Sequence, residues 1–371
     1  MVIALISIML LFQILSGGIL MKPLNITNLI LQNSYILVLA IGMMLVIITG
    51  HIDLSVGSVA AFVGAISAIM MIDMQIPYIP AILLSLLLGA LIGAWQGFWI
   101  AYVRIPAFIV TLAGMLLFRG LTMLVLKGQS IAPFPDGFRN ISSGFLPGLF
   151  SVSSMHGLTL LSGIALTAVY IYGEWRSRRI QQSYRFEVLP PGLFAAKLAA
   201  IAAAINLFAY VLANYEGIPN ILVTLFILIA AYTYVMKKTV FGRHIYAVGG
   251  NEKAAGLSGV KTRRVTFWVF VNMGALAALS GLIYAARLNA ATPKAGNLFE
   301  LDAIAACFIG GASAYGGVGT VPGAIIGGLV MGVMNNGMSL VGLGIDWQQA
   351  IKGLVLLLAV GFDIYNKNKN G

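Results

Sequence analysis

The sequence predicts an all-α, polytopic membrane protein of about twelve spanning segments, with broken helices and an inverted internal repeat. Two observations carry this. Sixty per cent of the 371 residues are hydrophobic and the mean hydropathy is +0.97, far beyond a soluble chain of this length. Only nine per cent are charged, and the 22 Lys and Arg residues gather in short stretches between apolar runs, as cytoplasmic connections of a membrane protein do. The net charge of +11 therefore does not point to nucleic acid, because no basic stripe is interleaved with aromatics.

Apolar runs of spanning length fall at about Val2 to Leu20, Leu29 to Thr49, Leu54 to Asp73, Ile79 to Ala101 and Pro106 to Leu126. The second half adds Gly157 to Gly173, Leu193 to Ala213, Pro219 to Met236, Val265 to Ala286, a short glycine-broken Phe299 to Ala314, Val321 to Gly342 and Trp347 to Asp363. The first run lacks a basic leader and a small-residue cleavage site, so it reads as a retained helix rather than a signal peptide. The whole chain, residues 1–371, is expected to be one transmembrane domain.

Lys and Arg set the orientation. With both termini cytoplasmic, the inside receives Arg104, the run Arg176, Arg178, Arg179 and Arg185, the run from Lys237 to Arg264, and Lys367 and Lys369. The outside keeps Lys22, Lys127, Arg139, Arg287 and Lys294. The loop 127–155 holds Pro133, Pro135 and Pro147, so it reads as an external surface loop open to a partner. The loop 174–192 reads as a solvated basic connection.

Chemical motifs are sparse. Cys307 is the single cysteine and lies in an apolar run, which leaves no disulfide or thiol-ligand set. His51, His156 and His244 are scattered without metal spacing, and no serine, acid and histidine set points to hydrolysis. The run GGASAYGGVGTVPG, 310–323, lacks the GK[ST] ending of a phosphate loop and reads as a helix break with tight packing. No ATPase motif and no bound cofactor are expected in this chain.

Polar residues inside apolar runs are the pathway candidates. Asp53 opens the third run, either as a helix cap or as a functional charge; a mid-bilayer acid would cost roughly 2.5–3.5 kcal/mol. Glu300 and Asp302 open another small-residue helix from the opposite face, which is the basis for expecting an inverted repeat. Gln32, Asn33, Asn272, Asn335, Asn336 and Gln348 must pair between helices or line a wet route, since unpaired amides are costly in hydrocarbon. Arg119, Lys197 and Lys352 are expected to be neutralised, snorkelling or cavity-facing.

The segment from Gly242 to Arg264, GRHIYAVGGNEKAAGLSGVKTRR, is too polar to cross a membrane. Gly249 and Gly250 allow a tight turn, Asn251 can cap a short helix, Glu252 suits its N-terminus and Gly259 its stop. Such a helix on loop 237–264 either docks a partner or is an ordinary capped loop.

In order along the chain, GHIDLSVGS, GRHIYAVGGNEKAAGLSG, ELDAIAACFIGGASAYGGVGT and NNGMS resemble the permeases of monosaccharide ABC importers. LNAATPKAG and DWQQAIKGLVLLLAV are similar to the multiple-monosaccharide and xylose-type members of the ribose-permease family. The likeness covers nearly the whole chain. It implies a homodimer of permeases, ATP-hydrolysing subunits on the cytoplasmic face, an external sugar-binding protein and location in the bacterial inner membrane. It makes the segment, from Gly242 and Arg243 to Gly259, the ATPase-coupling element: Gly249, Gly250, Asn251 and Glu252 would set its geometry, and Ala254, Ala255 and Leu257 would enter a cleft on the ATPase. Against the shorter ribose-type permeases, this chain carries an extra helix pair around Tyr184 to Asn220.

The function expected is passage of a pentose or hexose by alternating access, driven by ATP on a partner. The alternatives are an ion-coupled secondary sugar transporter using Asp53 or Asp302, and a non-transporting membrane scaffold.

Overall fold

The computed structural model describes residues 1–148, 150–152 and 155–370, and only the backbone of residues 151, 152, 362, 363 and 365–370. Every apolar run anticipated above coincides with a helix. The helices are α1 (Val2–Leu15), α2 (Pro23–Ile48), α3 (Val56–Ala68), α4 (Tyr78–Phe98), α5 (Ala107–Leu126), α6 (Asp136–Ser143), α7 (Gly157–Ser183) and α8 (Pro191–Ala213). They continue as α9 (Asn220–Lys238), α10 (Val240–Gly250), α11 (Glu252–Leu257), α12 (Thr262–Leu288), α13 (Phe299–Ile309), α14 (Val321–Leu340) and α15 (Ile345–Asn370). Among the described residues nine are long and apolar enough to cross a membrane, which makes the chain multi-pass. α13, with 11 residues, is a half-helix of about 16 Å. π-helical turns, Ile69–Asp73 and Trp99–Val103, end α3 and α4.

The chain forms two compact units. The larger comprises Met1–Leu20, Leu29–Gly144 and Ile221–Gly371. At its centre α12 packs along α4 and α3, and α13 packs along α14. Small residues make this possible: Gly89 and Gly93 of α4 lie against the backbone of Gly274 and Phe270 in α12, and Gly281 lies against Ala60 in α3. Without water to drive helices together, such close backbone approach is how membrane helices associate.

The loop 127–155, expected to be external, is not all surface. Phe134 and, from α6, Phe138 are buried among Ala68, Met71, Leu126 and Ala285, while Asp136 and Arg139 pair at 2.8 Å on the exposed side. The amphipathic spacing of α6 explains this departure from a solvated loop. Ile131 and Ala291 exchange backbone hydrogen bonds of 3.0 Å, which ties this loop to the segment before α13. Residues 149, 153 and 154 of the same loop lie outside the described residues.

The second unit, Met21–Asn28 and Phe145–Asn220, is an α7/α8 hairpin with a short strand pair, Ser151–Val152 against Met155–His156. Gly163 meets Ala209, and Asn206 Nδ2 donates to Thr167 Oγ1 at 2.9 Å, so an amide is satisfied between apolar helices. α7 runs through the basic stretch expected as loop: Arg176, Arg178 and Arg179 sit on helix, and residues 184–190 make the turn. Arginine is a good helix former, and Pro190 and Pro191 fix where α8 begins.

Candidate functional site

α2 ends at Ile48, and α3 begins only at Val56, not at Leu54 as the apolar pattern implied. The residues between run without helix, with Thr49, Asp53 and Ser55 buried and Gly50 and Ile52 exposed, and side chains meet several of their polar groups. Asp53 Oδ1 accepts from the Ser55 backbone N–H at 2.8 Å and from its hydroxyl at 2.6 Å. Gln96 of α4 donates to Ser55 Oγ at 2.8 Å, and Thr111 of α5 donates to the Ile52 carbonyl at 3.4 Å. Asp53 is only 2% exposed, and burial raises its pKa to about 6 although both Ser55 hydrogen bonds act to lower it. Asp53 thus fastens the approach to α3, while Ser55 itself occupies the cap position.

The starts of α3 and α13 meet. A Cβ on Gly57 would lie 2.2 Å from the Gly296 carbonyl and 2.4 Å from Glu300 Oε2, and one on Gly296, whose φ is +70°, would lie 1.9 Å from the Gly57 carbonyl. Only glycine fits at either position. Two helix N-termini, carrying fractional positive charge, therefore converge on a buried carboxylate, the arrangement of discontinuous helices in transporters. Glu300 is 7% exposed, and its Oε2 has no hydrogen-bond partner. Arg119 of α5 donates to the Ala295 carbonyl at 2.6 Å beside it.

On the other side of Ile48 lies the polar segment. Thr239 Oγ1 accepts from the Gly242 N–H at 3.2 Å and starts α10, which runs through Gly249 and Gly250, where a tight turn was expected. Gly249 does not make the tight turn expected of it. It lies in the last turn of α10, pressed so closely on the Ile48 carbonyl that a Cβ would sit 1.6 Å away. The same carbonyl accepts from Gly317 N–H at 2.8 Å, and the Tyr246 hydroxyl donates to the Gly319 carbonyl at 2.7 Å. The glycine-rich run is thus the floor on which α10 rests.

Asn251 caps α11, its Oδ1 accepting from the Ala254 N–H at 2.9 Å, and Gly259 closes it with φ +88°. Leu257 is 91% exposed at the tip, and Ala254 is exposed beside it. Ala255 turns inward and belongs to the packing of α11. Arg243 and Gly250 are exposed, and Gly242 is buried against the Val235 and Met236 carbonyls. A cleft of about 730 Å³ opens between His51, Ile52 and Arg104 on one side and Glu252, Lys253 and Arg263 on the other. Burial lowers the His51 pKa, against the charge of Glu252.

The other candidates are dispersed rather than gathered. Asn33 donates to the Leu29 carbonyl at 2.8 Å; Asn272 accepts from the Tyr232 hydroxyl but leaves its Nδ2 unpaired; Asn335 leaves its Oδ1 unpaired. Asn336 is buried, Gln32 half-buried, and Gln348 bonds near the α14/α15 turn. Lys352 pairs with Asp302 at 3.1 Å and Lys197 with Glu174 at 2.9 Å, so both are neutralised. Sequence reasoning missed Gln96 and Gly296 and read Gly57 only as part of a helix entry: nothing local distinguishes a glycine that permits contact from one that merely packs.

A family model described as "Branched-chain amino acid transport system / permease component" matches residues 25–360. The chain belongs to this permease family. It is 40% identical over 369 residues to the xylose transport system permease protein XylH of Haemophilus influenzae, covering 100% of this chain and 96% of that one. Identity to XylH of Escherichia coli K12 is 39%, over 100% of this chain and 92% of that one. The ribose import permease protein RbsC of Bacillus subtilis is 36% identical, over 92% of this chain and 85% of that one. No solved structure matches the chain. The permease is therefore a membrane transport subunit whose relatives carry sugars in their names, whereas the family description speaks of amino acids.

Proposed function

We propose that the chain is the transmembrane subunit of an ATP-driven importer of monosaccharides, with a xylose-like pentose the first candidate. Two copies would form the pathway in the bacterial inner membrane, both termini facing the cytoplasm. Separate ATPase subunits would bind Leu257 and Ala254 on α11, and an external binding protein would deliver the sugar; this chain would hydrolyse no ATP and hold no cofactor. The relatives named for xylose and ribose support the substrate class.

The observation that carries the mechanism is a continuous path: α11 follows α10 along the chain, Gly249 of α10 packs on the Ile48 carbonyl, and residues 49–55 lead from Ile48 into the meeting of α3 with α13. Movement of α11 by an ATPase reaches α10 through Asn251. α10 grips Ile48, and nine residues later the chain enters the junction at Gly57. Interfaces this tightly packed switch between discrete arrangements rather than deform smoothly. ATP would thus shift the side to which the pathway opens.

A sugar hydroxyl left unpaired in hydrocarbon costs about 4–8 kcal/mol, so passage needs polar groups along the route. Glu300 Oε2, Asn272 Nδ2 and Asn335 Oδ1 are buried and unpaired, and are the groups a passing hydroxyl would satisfy. They are too few and too scattered to hold a sugar tightly, which leaves selectivity with the binding protein. Reconstitution with ATPase and binding protein tests the reading: labelled xylose uptake should require all three components and ATP. Uptake by the chain alone under an ion gradient would replace this reading with the symporter, and uptake unaltered in cells lacking the chain would make it a scaffold.

A further inference from the structure

The turn end of the α7/α8 hairpin gathers Arg176, Arg178, Arg179 and Arg185. Among the described residues none of the four forms an ion pair, and the neighbouring acid Glu174 is occupied by Lys197 at 2.9 Å and by the Tyr170 hydroxyl at 3.3 Å. One terminal nitrogen of Arg178 is shielded from solvent yet has no hydrogen-bond partner. The guanidinium carbon of Arg178 lies 4.3 Å from the centre of the Phe194 ring, and that of Arg179 lies 4.6 Å from the Trp175 ring. The rings hold these planar cations in place. Trp175, Tyr184 and Phe186 are exposed around them.

Depth assigns the surroundings. α7 has 27 residues, a length of about 40 Å, against a hydrocarbon core of about 30 Å. From Gly157, about twenty residues exhaust the hydrocarbon, which brings Arg176 to Arg179 to the level of the headgroups. The hairpin presents Leu161, Ile164, Val169 and Leu207 outward below them, a surface suited to acyl chains. Aromatic rings beside cations at that depth match a membrane interface, and arginine pairs with phosphate through two parallel hydrogen bonds.

We propose that this end of the hairpin binds the phosphate groups of anionic phospholipids. Four unneutralised guanidinia find their counter-charge in the leaflet, and the lipid clamps the α7/α8 turn at fixed depth. To test this, the full chain purified in detergent is offered equal phosphatidylglycerol and phosphatidylcholine, and retained lipids are counted by native mass spectrometry. The wild type retains at least about five-fold more phosphatidylglycerol, and the excess shrinks as salt rises to about 0.5 M. The variant R176Q/R178Q/R179Q/R185Q loses the excess. Because these arginines also help set insertion, the wild-type comparison stands alone: equal retention of both lipids overturns the proposal. So does a quadruple variant that keeps its phosphatidylglycerol but no longer co-purifies with an ATPase subunit, which would make this a protein-docking surface.

Discussion

Glycine at 57 carries more of the architecture than any charged residue. Gly57→Ala would drive a methyl group into the Gly296 carbonyl, at 2.2 Å, which cannot move aside as a side-chain tip can. We expect a loss of about 3 kcal/mol, the upper end of overpacking, seen as a lower unfolding temperature in detergent and as lost transport. Asp53 makes a second prediction at this scale. Its pKa is raised in the fold to about 6, from 3.8, so the folded state holds a proton that the unfolded chain has already released. Its contribution is most favourable below pH 3.8 and declines as pH rises through about 6, by about 3 kcal/mol in all. Asp53→Asn, which keeps the acceptor for Ser55, should flatten the pH dependence of thermal unfolding between pH 4 and 7. An unchanged slope would show that Asp53 stays charged at no cost.

At the scale of elements, α11 and α15 give separable tests. Leu257 is 91% exposed and contacts little of its own chain, so Leu257→Asp should leave the unfolding temperature within about a degree while abolishing co-purification with the ATPase. α15 is held to α13 by Lys352 and Asp302, whose side chains are 25% and 10% exposed. Lys352→Met alone strands a buried carboxylate and should cost roughly 1–3 kcal/mol, discounted for partial exposure; Lys352→Met with Asp302→Asn should cost less than either single change. A double-mutant cycle by thermal unfolding reads the coupling. The existence of these elements was legible from apolar length and from the residues at their ends: Asn251, Gly259 and the proline pair before α8 stand where local chemistry puts them. α10 was not legible, because its two terminal glycines resemble a turn and only the Thr239 cap and the burial of Ile245 and Val248 make it a helix.

For the whole molecule, the pattern of hydropathy specified a multi-pass helical protein, and the quoted sequence blocks pointed to its family. What brings Asp53, Gln96, Gly57 and Glu300 within one region is tertiary: residues 41 positions apart in one hydrogen bond and some 240 apart in one glycine contact leave no local trace. The expectation of helices opening near Asp53 and near Glu300 did not include that the starts of α3 and α13 meet. That meeting, joined to α11 through the packing of Gly249 on Ile48, is the feature on which the proposed coupling rests.

The most direct test of that coupling is the number of xylose molecules imported per ATP hydrolysed in proteoliposomes containing the permease, its ATPase and its binding protein, compared with the Asn251→Ala/Glu252→Ala variant. The account predicts that the variant inserts normally yet loses transport per ATP by about ten-fold or more, since without the Asn251 cap α11 no longer moves α10 as one body. A variant that transports as much sugar per ATP as the wild type would contradict it.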